Sequence, residues 1–141
     1  MILPEFVELY HSTIAELNRL GIPASSESVT VVAGGAMLLL GLRDSTDDMD
    51  IQIPSEKYYR VKSLGLHSTM NLGDLVCPEL LTLLPKVDLH PSCEIGESIT
   101  FGVRHQSPAQ ILLLKKRLNR PKDQVDIARL TTLLENSNEQ Q

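Results

Sequence analysis

At 141 residues, with 42% hydrophobic and 22% charged side chains, the chain has the size and composition of one globular domain, without room for a second of any size. A formal net charge of -5 argues against a protein that coats nucleic acid by global charge. No run reaches the ~18 apolar residues of a membrane span, and the acid-bearing start MILPEFVELYHSTIAEL lacks the basic flank of a secretion signal. Cys77 and Cys93, with no CxxC spacing, read as thiols in a reducing compartment, so a cytoplasmic protein is expected.

The first segment predicts an amphipathic helix over about Pro4 to Leu20. Phe6, Leu9, Thr13, Leu17 and Leu20 fall on one face, Pro4 suits the first turn, and Gly21 followed by Pro23 ends it. SVTVVAGG then reads as a short buried strand stopping at Gly34-Gly35, and AMLLLGL as a short buried helix. DMDIQIP alternates: Met49, Ile51 and Ile53 face one way, Asp48, Asp50 and Gln52 the other. A helix follows from Pro54-Ser55-Glu56 to about Lys62. LHSTMN reads as a strand, and GDLVCPELLTLL as a loop with either a short helix or an irregular strand. KVDLHP predicts a strand stopped by Pro91, and ESITFGVRH another.

SPAQILLLKKRL carries a helix start, with Ser107 as N-cap, Pro108 at the first helical position and Gln110 closing a capping box. RPKDQVDIARLTTLLE predicts a last helix with Val125, Ile127, Leu130, Leu133 and Leu134 as its buried stripe. The order implies an α+β (mixed α/β) fold, a small mixed central sheet flanked by helices. Residues 1–135 are expected as a single domain and 136–141 as a polar, frayed tail.

The chemistry concentrates on one strand face. Asp48 and Asp50 leave it together, ~7 Å apart along the backbone, and would repel unless a cation neutralises them. Hard divalent ions, Mg²⁺ above all, take carboxylate oxygens and keep water or phosphate ligands. Asp88, mid-strand in KVDLHP, supplies a third acid, and three acids on adjacent strands suit two-metal phosphoryl transfer. Gly34-Gly35, between a strand and a helix, would let a phosphate approach the backbone.

AGG, then twelve residues, then DMDI resembles the signature of the DNA polymerase β-like nucleotidyltransferase superfamily. The fuller string GGAMLLLGLRDSTDDMDI, with LLLKKRLNRPKDQVDI downstream, is similar to the branch that includes the abortive-infection nucleotidyltransferase toxins, which belong to toxin–antitoxin pairs. The likeness covers roughly residues 29 to 130. It implies a minimal nucleotidyltransferase fold built around a β-hairpin-like core. Gly34 and Gly35 would bind the triphosphate, ATP among the candidates, and Asp48, Asp50 and Asp88 would hold two Mg²⁺ ions, with Mn²⁺ as a substitute. Asp88 is the candidate base. Arg43 and Thr46 would hold phosphates or brace the loop, Lys115 or Lys116 would neutralise the triphosphate, and Lys122, Asp123 and Asp126 would lie around the nucleotide's far side. The chain lacks the extra helical domain of the larger toxins, and its lysine-to-RPKD spacing is shorter than usual. The expected function is nucleotidyl transfer to an acceptor hydroxyl of RNA (tRNA as a candidate), a protein or a small molecule. The alternative is a catalytically weak or inactive, antitoxin-like NTP-binding module acting through a protein partner. A small-molecule modifier would need a second subunit or a homodimer to close its pocket.

Plainer readings stand beside these. Asp44 and Asp47 are expected as solvated loop acids, and Asp88 could be an edge-strand acid. Lys115, Lys116 and Arg117 could be the wet side of a helix, and Asp123 and Asp126 helix-surface pairs with Lys122. His11, His67, His90 and His105 show no ligand spacing; His90, two residues beyond Asp88, could contact a phosphate or base but is expected at the surface or in a cap.

Overall fold

Helix α1 (Leu3–Arg19) carries Pro4 and Glu5 in its first turn and buries Phe6, Tyr10, Thr13 and Leu17, a helical 4-3-4 spacing. The buried member of the second turn is Tyr10, whereas the sequence pattern selects Leu9. The reason is polar: the Tyr10 hydroxyl donates to the Val29 carbonyl at 2.7 Å, so its ring is buried with its oxygen satisfied. The computed structural model describes residues 1–64, 69–71, 79–92 and 94–139; Cys77, Cys93 and His67 lie outside them.

The remaining elements are β1 (Thr30–Val32), α2 (Ala33–Leu39), β2 (Met49–Pro54), α3 (Ser55–Ser63), β3 (Thr69–Asn71), β4 (Glu79–Leu84), β5 (Val87–Ser92), β6 (Ser98–Thr100), β7 (Val103–His105), α4 (Pro108–Leu118), a 3-10 turn (Pro121–Asp123) and α5 (Gln124–Glu139). The strands form one mixed sheet in the order β3-β4-β5-β2-β1-β7-β6. The mixed α/β class expected from the element order is therefore the observed one.

Several local expectations change. ESITFGVRH is not one strand but the hairpin β6–β7, because Phe101 and Gly102 adopt φ of 53° and 74°, the left-handed pair of a two-residue turn. ELLTLL is a strand. Pro91 does not stop β5, which continues to Ser92 in register with Pro54. The core around the acids is no hairpin either: β2 and β5 run parallel as neighbours, and β1 flanks β2 antiparallel on its other side. In α5 the expected stripe fails at Val125, which is 61% exposed. The buried face passes instead through Asp123, Asp126 and Leu130, at i, i+3 and i+7, so Val125 is turned to solvent.

Two apolar clusters meet at α2. On one side of the sheet, α1 and α3 cover Met49, Ile51, Ile53, Val87 and Leu89, together with Phe6, Tyr10, Leu17, Tyr58 and Val61. The second cluster joins Ala36 and Met37 of α2 to Ile111 of α4 and Leu130 of α5. The capping box expected at Ser107 is formed and fixes where α4 starts: Gln110 N–H donates to Ser107 Oγ at 3.1 Å, and Ser107 N–H donates back to Gln110 Oε1 at 2.9 Å. With α2 held by both clusters, its first turn lies beside the start of β2, where Val32 pairs with Asp50.

At Gly35 of α2 the Phe6 ring of α1 packs directly against the backbone. A Cβ there would stand 2.4 Å from Phe6 Cζ and 2.8 Å from Val31 Cγ1. Gly35→Ala is expected to lower stability by ~1–3 kcal/mol through overpacking, read as a lower urea midpoint with an unchanged slope.

Candidate functional site

The alternation of β2 decides which side its acids take. Met49, Ile51 and Ile53 are at most 2% exposed, and Asp50 and Gln52 emerge on the opposite, open face. Asp48 precedes β2 by one residue and keeps the same parity. Asp88 on β5 is the register partner of Asp50 across the parallel pair. Neighbouring strands are ~4.8 Å apart, so these two carboxylates face each other across a single strand spacing. β5 lies between β4 and β2, so Asp88 is on an interior strand, not an edge.

Burial and crowding both show in the ionisation of the acids. The Asp48 carboxyl is held above the usual carboxylate range by burial first, then by Asp50 and Asp47, against a weaker downward pull from His90. Asp88 is raised for the same reasons, burial first, then Asp50 and Asp48. Among the described residues, no three His, Cys, Asp or Glu side chains gather closely enough to hold a metal ion unaided. The donor set nonetheless suits Mg²⁺: hard oxygens on an open face, mutually repelling, for an ion that keeps several water or phosphate ligands.

His90 is not at the surface. It is 5% exposed and its Nε2 sits 2.9 Å from Asp50 Oδ1. On β5 it lies two residues beyond Asp88, hence on the same face, a placement the i, i+2 rule for strands could have signalled.

Facing the acids, a cleft of about 480 Å³ is lined by Ala33, Gly34, the loop residues Arg43 and Ser45–Asp48, Asp50, and the basic set Lys115, Arg120 and Lys122 with Asp123 and Asp126. Asp47, expected to be merely solvated, is on its wall, whereas Asp44 is not. The two glycines divide their work. Gly34 lines the cleft, where a Cβ would stand 2.8 Å from Arg43 Nη1, whereas Gly35 packs under Phe6. Ala33, ahead of them, holds φ at 57°, a left-handed backbone that a non-glycine adopts only when its surroundings compel it. Thr46 braces the loop: its N–H donates to Met1 O at 2.9 Å and its hydroxyl to Asp48 O at 3.1 Å.

A hollow of about 950 Å³ lies between Gly41–Ser45 and the α5 residues Ala128–Asn136. It is larger and more open, but its one carboxylate is Asp44 and it has no paired acids, so the chemistry is assigned to the smaller cleft.

The basic wall is an ordered ion-pair network. Of the two candidate lysines, Lys115 faces the cleft with its side chain 12% exposed, whereas Lys116 is turned to solvent. Lys115 Nζ lies 3.1 Å from Asp126 Oδ2 and 3.4 Å from Asp123 Oδ1. Arg43 Nη2 donates to Asp126 Oδ2 at 3.0 Å. Arg120, which the sequence reading did not single out although it stands directly before Pro121, grips Asp123 through Nε at 2.8 Å and Nη2 at 3.1 Å. That fork, with Lys115 behind it, lowers the Asp123 carboxyl to about 2. Asp123 and Asp126 are 1% and 6% exposed, so they hold the cations in place from beneath instead of pairing with Lys122 at the surface.

No protein-family model and no curated protein matches the chain. Solved structures do. The crystal structure of ANT(2'')-Ia in complex with adenylyl-2''-tobramycin is similar with a TM-score of 0.57 at 17% identity, over 94% of this chain and 91% of that one. The solution structure of the antibiotic-resistance factor ANT(2'')-Ia is similar with a TM-score of 0.54 at 20% identity, over 90% of this chain and 83% of that one. The chain thus shares the fold of ANT(2'')-Ia. Among the described residues, no helix is long and apolar enough to cross a membrane.

Two stability measurements follow from the charges. The Asp123 carboxyl titrates at about 2 when folded, below its ordinary value. Its contribution is therefore complete above pH ~4 and lost as the pH falls from there towards 2. Asp123→Asn should flatten this part of the stability-versus-pH curve. At pH 7 it should cost ~3 kcal/mol, because Arg120 and Lys115 are left without their shared carboxylate. Asp88 is shifted the other way, so its ionisation weakens the folded state as pH rises through its raised value. Asp88→Asn should then melt a few degrees higher than wild type at pH 7 without divalent metal.

Proposed function

We propose that this protein is a metal-dependent nucleotidyltransferase that moves a nucleoside monophosphate from a nucleoside triphosphate to an acceptor hydroxyl and releases pyrophosphate. The observation that carries this reading is the register of β2 against β5, which sets Asp88 beside Asp50, itself a lining residue of a cleft whose other wall is cationic. A triphosphate is polyanionic at one end and reacts at its α-phosphate, so a site for it needs basic side chains and a cation-seeking acid cluster within one small cavity.

In this assignment Lys115, Arg120 and Lys122 neutralise the triphosphate, Arg43 holds the loop and a phosphate edge, and the backbone at Gly34 admits the chain of phosphates. Asp48, Asp50 and Asp88 would hold two Mg²⁺ ions, or Mn²⁺, which supply Lewis-acid charge at the α-phosphate when bound. Asp88, facing Asp50 across one strand spacing, takes the acceptor's hydroxyl proton. The acceptor oxygen bonds to the α-phosphorus, the bond from that phosphorus to the bridging oxygen breaks, and pyrophosphate departs along the basic wall.

The acceptor is assigned as a hydroxylated small molecule. The ANT(2'')-Ia crystal structure holds adenylyl-2''-tobramycin, a nucleotidylated small molecule, in a fold of which this chain spans 91%. That favours a small acceptor over tRNA or a protein. The inactive, antitoxin-like module remains the rival, and turnover separates the two.

The test is transfer of label from each α-³²P nucleoside triphosphate in Mg²⁺ or Mn²⁺, with aminoglycosides and, separately, total tRNA as acceptors. Wild type should label an aminoglycoside, and Asp50→Ala should lower transfer by about 10³-fold. Nucleotide binding without turnover on any acceptor would sink the enzyme reading in favour of the module. Label on tRNA alone would overturn the choice of acceptor.

A further inference from the structure

His90 belongs to none of the roles assigned so far. It stands on β5 opposite Gln52, two residues beyond the pair formed by Asp50 and Asp88 and on the same face, so its ring reaches diagonally across the strand spacing to Asp50. The side chain is 7% exposed while that of Asp50 is 25% exposed, so the imidazole backs the carboxylate from the buried side and leaves the cleft side open. A carboxylate oxygen accepts, so the contact of 2.9 Å is a hydrogen bond from Nε2–H to Oδ1. The outer torsion of an aspartate is broad and roughly two-fold, so Asp50 on an open sheet face would otherwise sample many orientations. A ring that is itself almost wholly buried has little room to follow such motion.

We propose that His90 is a positioning residue for the metal ligands. Its Nε2–H pins one oxygen of Asp50 so that the other is presented to the divalent cation beside Asp48 and Asp88. The proposal rests on the metal-dependent reading above and goes further by naming the group that orients the central ligand. Losing a hydrogen bond behind a metal ligand weakens metal binding, characteristically by about 10- to 100-fold, and leaves nucleotide contacts elsewhere unaffected. The converse is a latch in which His90 competes with the cation for Asp50; it predicts the opposite sign.

The experiment is Mn²⁺ titration followed by electron paramagnetic resonance, with a non-hydrolysable nucleoside triphosphate present. It compares wild type, His90→Ala, His90→Gln, His90→Asn and Asp50→Asn. Nucleotide affinity without metal and thermal melting are measured on each. Gln places an amide N–H near the position of Nε2, whereas Asn is too short to reach Asp50. His90→Ala and His90→Asn should weaken Mn²⁺ binding about 10- to 100-fold. His90→Gln should recover most of it, with metal-free nucleotide affinity equal in wild type and the three His90 variants. If His90→Ala does not fold, the contrast between Gln and Asn decides. Unchanged or tighter Mn²⁺ binding on loss of the ring, or equal affinities for Gln and Asn, would overturn the proposal. Wild type binding no Mn²⁺ while Asp50→Asn behaves identically would instead remove the metal-dependent reading itself.

Discussion

The structure turns on carboxylates forced together across one parallel strand pair. Asp50 and Asp88 are register partners with Asp48 close by, and the carboxyls of Asp48 and Asp88 are held above the usual carboxylate range by burial first and by the neighbouring aspartates second. What holds them there is the other face of the same two strands. Met49, Ile51, Ile53, Val87 and Leu89 are essentially fully buried under α1 and α3. Each such side chain contributes roughly 1.5–3 kcal/mol on burial, so five of them outweigh a partly solvated like-charge cluster. Sliding β5 by one residue would relieve the acids only by turning Val87 and Leu89 out of the core.

The opposite wall of the cleft solves the complementary problem. Lys115, Arg43 and Arg120 would repel one another if they stood alone, and long cationic side chains would otherwise lie extended in water. Asp123 and Asp126, almost completely buried, draw them to fixed positions with distances of 2.8–3.4 Å. Such a network adds little net stability over an apolar replacement. Its effect is to place positive charge where a polyanion would enter. The polar face that this requires on α5 is also why Val125 is exposed and Leu130 is not.

Packing and site are coupled through the paired glycines. Gly34 borders Arg43 and the cleft, whereas Gly35 lets Phe6 of α1 touch α2. Neighbours in sequence thus serve different ends because successive positions in a helix point about 100° apart. The left-handed backbone at Ala33 fits the same picture, as the turn from β1 into α2 must be tight enough to bring both contacts into register.

Much of this was legible in the chain itself. Alternation in DMDIQIP assigned the faces of β2, and the box at Ser107-Pro108-Gln110 located the start of α4. The acid-x-acid pair with a downstream aspartate pointed to the cleft. These are local signals, set by periodicity and by hydrogen bonds within a few residues. Other features depended on contacts between distant segments. The choice of Lys115 over Lys116, the burial of Asp123 and Asp126, and the recruitment of Arg120 follow from where α5 docks on α4. The division between Gly34 and Gly35 follows from where Phe6 lands. His90 meets Asp50 only because β5 inserts beside β2 in parallel, 40 residues apart in the chain. Local patterns fix which way a side chain leaves its own element, but which groups it then meets is set by the packing of elements that the sequence keeps far apart.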